Sequence, residues 1–345
     1  MSVEWKRRRE GGGWFAIWLI TSIGRFGGRA LARGFLYPIT LYFVLRRGAE
    51  RRGSRDYLTR ALGRPATLRD VARHIHTFAA TILDRVFLLS GQTHRFDVTL
   101  SGLDGVHAQL DQGRGVLLFG SHLGSFEVLR VVARQRPDYT IRVVLDKAHS
   151  PALTRMFDAL DPRMAANVID GSQDGPSIML AIQQAAEQGD MVALLVDRAQ
   201  PGHPTVEAPF LGSPAEFPSA PWLIAAVLKV PIALAFGLYR GGNRYDLVFE
   251  TFSDGLDIPR RERAAAIPAL IRRYAARLEN HVRNAPYNWF NFYDFWERSG
   301  HDQHDDRGTS QATSEDARAV VPVRTPGSPA VVRGDPAAGD GAGGD

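Results

Sequence analysis

Strand-like and helix-like patterns alternate through the central part of the chain. Short apolar runs predict buried strands, and they lie at residues 115–119, 141–145, 191–196, 231–236 and 245–250. Apolar residues at three- and four-residue spacing predict a helical region at 51–90. Between the strands, further helical stretches are predicted at 125–135, 174–188, 219–229 and 260–284. Strands that alternate with helices are typical of a mainly parallel sheet with helices on both faces. The pattern therefore predicts an α/β fold.

Two apolar runs precede this region, Trp14–Ile23 and Phe35–Leu45. Each is shorter than the roughly 20 residues that a helix needs to cross a bilayer. No small-residue cleavage site follows the first run, which argues against a secretory signal. We predict a pair of helices lying in the membrane interface, or one tilted or re-entrant segment; the alternative is that the helices pack onto the core. Rings suited to the lipid headgroup level are those of Trp14, Trp18, Tyr37 and Tyr42.

The charge is concentrated at the two ends of the chain. The net charge is +5, but residues 1–60 hold 13 Lys and Arg against 4 Asp and Glu, and residues 301–345 hold 4 against 8. Arginines that flank apolar, Trp-bearing runs favour an anionic membrane surface over nucleic acid, whose binding arms usually lack dense hydrophobic centres. The last 45 residues are rich in Gly, Pro, Ala and Asp and are predicted to be disordered. We expect a membrane-associated helical segment at 1–50, a globular domain at 51–300 and a disordered tail at 301–345.

Residue types limit the chemistry. The chain has no cysteine, which excludes disulfides, thiolate metal sites and cysteine nucleophiles and suits a reducing compartment. His74 and His76 are two residues apart on a predicted helix and would face different sides, so we expect surface histidines rather than a metal pair. The acidic and histidine cluster at 301–306 is interpreted as a solvated start of the tail.

Polar side chains follow three of the predicted strands. His122 and Glu127 follow the strand at 115–119, Asp197 and Arg198 follow 191–196, and Asp146 and Lys147 follow 141–145. The carboxyl ends of parallel strands meet at one edge of a sheet, where ligands bind. The sequence therefore predicts that these side chains converge.

The first of these loops has the spacing His-x4-Glu. We expect the Glu127 carboxylate to orient one nitrogen of His122, leaving the other as a general base. Gly120 and Gly124 permit a tight turn between them. Histidine stands where a serine elbow would carry its nucleophile, so the hydroxyl is assigned to the substrate, as in acyl transfer to an alcohol. The alternative is a purely structural pair at a helix start.

These residues resemble a known family. The run Gly120–Glu127 is similar to the His-x4-Asp/Glu motif of the lysophospholipid acyltransferase superfamily, and more closely to that of the bacterial lipid A late acyltransferases. The similarity extends over about residues 5–297, and Asp197 resembles the acidic residue of the second motif. Further matches are Arg163, Val206–Ala215, Leu278–Glu279 and Ala285–Trp289.

The resemblance implies an O-acyltransferase domain at 51–300, tethered to the cytoplasmic face of the inner membrane. It implies an acyl carrier protein or coenzyme A thioester as donor, a lipid or glycolipid hydroxyl as acceptor, and no metal or tightly bound cofactor. The catalytic residues would be His122 and Glu127. The implied substrate-binding residues are Gly124, Ser125, Arg163, Asp197 and Arg198.

Some features depart from the family pattern. Ser121 stands where the superfamily often has Asn, and Arg198 stands where the late acyltransferases often have a neutral polar residue. The aromatic ending 288–296 resembles acyltransferases of aryl polyene or xanthomonadin-type pigment clusters, or alternatively closes the core. Two other functions stay open: a lipid-ester hydrolase, and a membrane lipid-binding protein with a degenerate site.

Overall fold

The computed structural model describes residues 14–135, 139–148, 150–199 and 202–296, with backbone alone at 14–27 and 133–135. The basic residues 6–9, the side chains of Trp14 and Trp18, and the tail at 301–345 with its acidic and histidine cluster lie outside the described part, so the predictions for them stay predictions.

Three helices come first, and from residue 97 onward stretches of one to three strands alternate with stretches of one or two helices. The helices are α1 (Trp14–Arg46), α2 (Gly48–Leu62), α3 (Leu68–Leu89), α4 (Asp104–Leu110), α5 (Arg130–Gln135), α6 (Pro151–Leu160), α7 (Pro162–Ala166), α8 (Gly175–Glu187), α9 (Ala220–Leu228) and α10 (Arg263–Asn284). The strands are β1 (Asp97–Ser101), β2 (Val116–Gly120), β3 (Ile141–Leu145), β4 (Val168–Asp170), β5 (Met191–Leu195), β6 (Thr205–Phe210), β7 (Ser213–Pro218), β8 (Ile232–Gly241) and β9 (Arg244–Ser253). Short 3-10 turns lie at Thr93–Arg95, Phe126–Leu129 and Arg260–Glu262.

Seven strands form one sheet in the order β1-β9-β8-β2-β5-β3-β4. All its neighbouring pairs are parallel except β8 and β9, which form an antiparallel hairpin. This confirms the predicted mainly parallel α/β sheet. The separate hairpin of β6 and β7 was not predicted, because Glu and Pro interrupt its apolar alternation.

The central strands contribute side chains to two hydrophobic cores. Leu117 and Phe119 of β2 belong to one core, with residues of α8, α9 and α10. Val116 and Leu118 belong to the other, with residues of α3 and α4. Successive strand residues point to opposite faces, so both faces of the sheet are covered. This burial explains why the strand runs are almost wholly apolar.

Helix α1 is broken at Gly28, where a φ of 75° and a ψ of 170° are not helical, so it consists of two helices joined at that residue, as one of the sequence predictions has it. Leu36 and Val44 are buried in the cores, and Arg29 forms an ion pair at 2.8 Å with the buried carboxylate of Asp84 on α3. The core-packing alternative therefore holds for one side of α1. The other side is exposed, and large apolar side chains there are Leu31, Phe35, Tyr37, Leu41, Tyr42 and Leu45. Among the residues that the structure describes, no helix is long and apolar enough to cross a membrane.

His74 is a correction to the sequence prediction, because it is fully buried rather than on the surface. Its Nδ1 lies 2.8 Å from the Ser54 hydroxyl and its Nε2 lies 3.0 Å from the Trp289 carbonyl oxygen. His74 therefore joins α2, α3 and the segment after α10. His76 is partly buried and contacts Thr40 of α1 at 3.2 Å.

Candidate active site

His122 and Asp197 meet at the carboxyl end of the sheet. Strands β2 and β5 are parallel neighbours, with Gly120 opposite Leu195, so the residues two positions beyond each strand end come together. The Nδ1 atom of His122 lies 2.9 Å from Asp197 Oδ1, and the His122 backbone N–H donates to Asp197 Oδ2 at 3.1 Å. This double contact fixes both the ring and the backbone of His122.

The Asp197 carboxylate is fully buried and has two further partners. The indole N–H of Trp289 donates to Asp197 Oδ2 at 2.9 Å. The Nε atom of Arg198 lies 3.9 Å from the same oxygen, and its Nη2 donates to the Phe290 carbonyl at 2.6 Å. A buried carboxylate needs such partners to remain ionised. Asp197 is thus a fixed negative charge beside the imidazole.

The two ionisable partners shift each other's pKa. Burial alone would raise the pKa of Asp197, but His122, Arg198 and Trp289 together hold it well below its ordinary value. Burial and the positive charges of Arg198 and Arg85 lower the pKa of His122, while Asp197 acts in the opposite direction. Near neutral pH the imidazole is therefore uncharged. Its Nδ1 proton points to Asp197, which leaves the Nε2 lone pair as a base on a side chain that is 38% exposed.

Backbone hydrogen bonds hold the loop that carries His122. Phe290 N–H donates to the His122 carbonyl at 2.9 Å, and Gly124 N–H donates to the Asn288 carbonyl at 2.8 Å. Ser125 N–H donates to the Gly237 carbonyl of β8 at 2.8 Å. From α10, the Tyr274 hydroxyl donates to the Gly120 carbonyl at 3.1 Å. The loop is thus anchored from three elements, which favours a preorganised base.

Gly124 allows the closest of these approaches. Its φ is 78°, and a Cβ at this position would lie 1.9 Å from the Gly237 carbonyl oxygen. The structure therefore explains this glycine by packing. Its predicted contact with substrate stays a prediction.

Glu127 lies elsewhere than its predicted place beside the imidazole. Its Oε1 pairs with Nε of Arg85 on α3 at 2.5 Å, and its Oε2 accepts from the Ser125 hydroxyl at 3.0 Å. The 3-10 turn at Phe126–Leu129 points the side chain toward α3. The carboxylate that hydrogen-bonds the His122 ring is that of Asp197, and the predicted contact of Glu127 with the imidazole is not formed. The Ser125 hydroxyl is likewise bonded to Glu127 and not to the His122 ring.

The other predicted residues lie farther out. Arg163 is in α7 with an exposed side chain, and the described hydrogen bonds around His122 do not include it. Asp146 and Lys147 follow β3 at the same sheet edge, and the Lys147 N–H donates to Oδ1 of Asp170, the last residue of β4, at 3.4 Å. Over the described residues, no group of three or more acidic or histidine side chains is arranged to hold a metal ion.

Three site residues were missed or undervalued by sequence reasoning. Arg85 belongs to an amphipathic helix. The feature of the sequence that could have indicated it is the presence of two adjacent charged residues, Asp84 and Arg85, inside the apolar stretch Leu83–Leu89. Tyr274 reads as an ordinary core aromatic on α10. Trp289 belongs to the family-like ending, which gives no sign of its bond to Asp197.

All of these residues lie in the part of the chain that matches a known protein family. The family described as bacterial lipid A biosynthesis acyltransferase matches residues 14–298. The chain belongs to that family. The match confirms the resemblance to the lipid A late acyltransferase branch, and it includes every residue of the site described above. A search of curated proteins finds no match.

Membership in the lipid A biosynthesis acyltransferase family makes the chain an acyltransferase that acts on a lipid. The aromatic ending, by contrast, is explained by packing. Trp289 is fully buried, and Trp296 stacks with Phe210 at a ring distance of 6.2 Å. The resemblance to pigment-cluster enzymes stays a prediction.

Proposed function

We propose that this chain is a membrane-associated O-acyltransferase. It would transfer an acyl group from a carrier-protein or coenzyme A thioester to a hydroxyl of a lipid or glycolipid. The observation that carries the proposal is the buried Asp197 carboxylate 2.9 Å from Nδ1 of His122, which leaves Nε2 as a base at a partly exposed position. Such a pair activates a hydroxyl group, and here the substrate brings that group.

The reaction needs one proton transfer out and one back. Nε2 of His122 takes the proton of the acceptor hydroxyl as its oxygen attacks the thioester carbonyl carbon. The carbon–sulfur bond then breaks, the acyl group remains on the acceptor oxygen as an ester, and the thiolate receives the proton from His122. Asp197 stabilises the imidazolium that forms between these steps. The scheme uses no metal or bound cofactor.

Arginines near the site suit an anionic substrate. Both proposed donors carry a phosphate on the arm that bears the thiol, and a guanidinium binds phosphate through paired N–H donors. Arg198 is partly exposed beside Asp197, and Arg163 is exposed on α7. We assign these two residues to substrate phosphate or other anionic groups. The contribution of Gly124 and Ser125 is to shape the loop that faces the substrate.

The test is thioester-dependent acylation by the purified full chain in detergent or vesicles. The donors are lauroyl coenzyme A and lauroyl carrier protein, and the acceptor is a lipid A precursor. His122→Ala is expected to lose at least about 100-fold in rate. Wild-type activity of His122→Ala would refute the assignment of the base. Release of free laurate without acylated acceptor would show a hydrolase, and lipid binding without turnover would show a degenerate site.

The exposed side of α1 supports membrane contact. Leu41, Tyr42 and Leu45 are each more than half exposed, and the exposed side chain of Arg46 follows them. Apolar side chains beside arginines suit a surface of anionic lipids. The assigned location is the cytoplasmic face of the inner membrane.

Vesicle flotation tests this contact. The double variant Leu41→Ser/Leu45→Ser should bind vesicles with 30% anionic lipid severalfold more weakly. Burial of apolar surface in the membrane contributes about 25 cal/mol per Å² to binding, and the two serines remove that contribution. Leu180→Ser is the matched control, since Leu180 on α8 is 54% exposed. Equal binding by all three proteins would contradict the role of α1.

A further inference from the structure

Arg85 reaches the site from a helix that carries no part of the recognised motif. It lies on α3 with 25% of its side chain exposed, and its Nε is 2.5 Å from Oε1 of Glu127. The preceding residue, Asp84, pairs with Arg29 of α1. Two adjacent residues of α3 thus bind α1 on one side and the catalytic loop on the other.

Glu127 depends on this pairing. Its side chain is only 8% exposed, and its other oxygen accepts from the Ser125 hydroxyl. A buried carboxylate without a cationic partner is strongly unfavourable. Removing Arg85 would therefore leave the Glu127 carboxylate without its cation and favour its turning toward water. That change disturbs the loop between His122 and the 3-10 turn.

The charges around His122 form two opposed ion pairs. Asp197 and Arg198 approach from the end of β5, and Arg85 with Glu127 from α3 and the loop itself. Further polar side chains packed at this end of the sheet are those of Trp289 and Tyr293 from the chain after α10 and of Tyr274 from α10. The positive charge of Arg85, like that of Arg198, lowers the pKa of His122.

We propose that Arg85 is a positioning residue of the acyl-transfer site, fixing Glu127 and the His122 loop from α3. The catalytic part of this inference rests on the proposed function. It gives the glutamate of the His-x4-Glu spacing a task distinct from that of Asp197. Asp197 orients the imidazole, and Glu127 with Arg85 sets the loop and the charge around it.

The first experiment is independent of any substrate. The full chain is labelled with ¹³C- and ¹⁵N-histidine, and His122 is titrated by NMR and assigned by the signal lost in His122→Gln. Arg85→Met removes the charge and keeps the apolar stem, and Arg85→Lys keeps the charge. We expect Arg85→Met to raise the pKa of His122, because the positive charge that lowers it is gone, and Arg85→Lys to stay near the wild type. Arg69→Met is the control, because Arg69 is exposed on the same helix.

The second experiment is a double-mutant cycle on the transfer rate. If Arg85 acts through Glu127, then Arg85→Met/Glu127→Gln is no slower than Glu127→Gln alone, whereas independent effects would multiply. We expect about a 10-fold or larger loss for Arg85→Met, with partial recovery in Arg85→Lys. Thermal unfolding checks that each variant is folded. If Arg85→Met is unfolded, Arg85→Lys replaces it in the cycle.

The outcomes separate the two proposals. Wild-type titration and wild-type rates in Arg85→Met, beside an inactive His122→Gln, would overturn the role of Arg85 alone. Full activity of His122→Gln would overturn the proposed function whatever Arg85 does. Multiplicative losses in the cycle would show that Arg85 does not work through Glu127.

Discussion

His122 and Asp197 are 75 positions apart in the chain, yet the imidazole Nδ1 and the carboxylate Oδ1 lie 2.9 Å from each other. The parallel pairing of β2 with β5 brings them together, because each residue stands two positions beyond the end of its strand. The pair is buried on the aspartate side and open on the histidine side. This asymmetry suits a base that must meet a substrate while its orienting charge stays out of water.

Asp197→Asn tests this pair directly. The amide can keep contact with Trp289 or with the imidazole, but it cannot stabilise an imidazolium. We expect the turnover number to fall about 10²–10⁴-fold, as for other histidines that lose their carboxylate. Asp104→Asn is the control, because Asp104 is exposed at the start of α4. A loss of less than about threefold in Asp197→Asn would remove the orienting role from this residue.

The pH dependence of the rate should report His122. The base must be neutral, and burial with the charges of Arg198 and Arg85 holds its pKa below the ordinary value of 6.5. The rate kcat/KM is therefore expected to stay high as pH falls to 6.5 and to decline only below it. Arg198→Met removes one of the charges that lower the pKa, so its decline should begin at higher pH. An unchanged profile in Arg198→Met would contradict this electrostatic account.

Sequence reasoning located the site because strand ends are readable. The apolar runs of β2 and β5 are nearly continuous, and a parallel sheet brings the residues that follow them to one edge. The convergence of His122, Asp197 and Arg198 followed from that rule alone. What did not follow was the partner of the imidazole. Five residues of spacing allow Glu127 to point toward His122 or away from it, and the 3-10 turn that decides the direction leaves no periodic signal.

The helical region shows a similar limit. The predicted helical stretch at 51–90 is two helices, α2 and α3, separated at Gly63, which adopts a left-handed φ of 64°. His74 was placed on the surface because histidine usually is, but a hydroxyl and a carbonyl satisfy both of its ring nitrogens inside the core. The same expectation hides Arg85, since a charged residue on a helix is usually solvated. His74 and Arg85 are both held in place by partners from distant parts of the chain. A pattern of neighbouring residues carries no information about such partners.

Gly124→Ala should disable the protein through the loop backbone. The left-handed φ disfavours any side chain, and the new Cβ would lie 1.9 Å from the Gly237 carbonyl oxygen. The strand contact at Gly237 must then open, so we expect at least about 3 kcal/mol of destabilisation and a large loss of activity. Gly113→Ala is the matched control, with a φ of 71° and nothing within 4 Å of its Cβ; it should cost about 1 kcal/mol. Similar unfolding free energies for the two variants would contradict the role of the close approach.

His74 should make the fold sensitive to mild acid. Burial lowers the pKa of His74 from 6.5 to about 3, and the bond to the Trp289 carbonyl only partly opposes this. Below pH 6.5 the His74 side chain therefore binds a proton in the unfolded chain but not in the folded chain. Because of this difference, the free energy of unfolding falls by roughly 1.4 kcal/mol per pH unit. The loss begins as pH drops through 6.5 and levels off near pH 3. Urea unfolding between pH 7.5 and 4.5 measures that slope.

Two variants separate His74 from other acid-sensitive groups. His74→Gln carries no titrating ring, so its free energy of unfolding should start lower at pH 7.5 but decline less steeply below pH 6.5 than that of the wild type. His94→Gln is the control, because His94 is exposed and its removal should leave the slope unchanged. If His74→Gln and the wild type lose stability in parallel, His74 is protonated inside the folded protein, and the contact that it makes between Ser54 and Trp289 is not the neutral one inferred from the geometry.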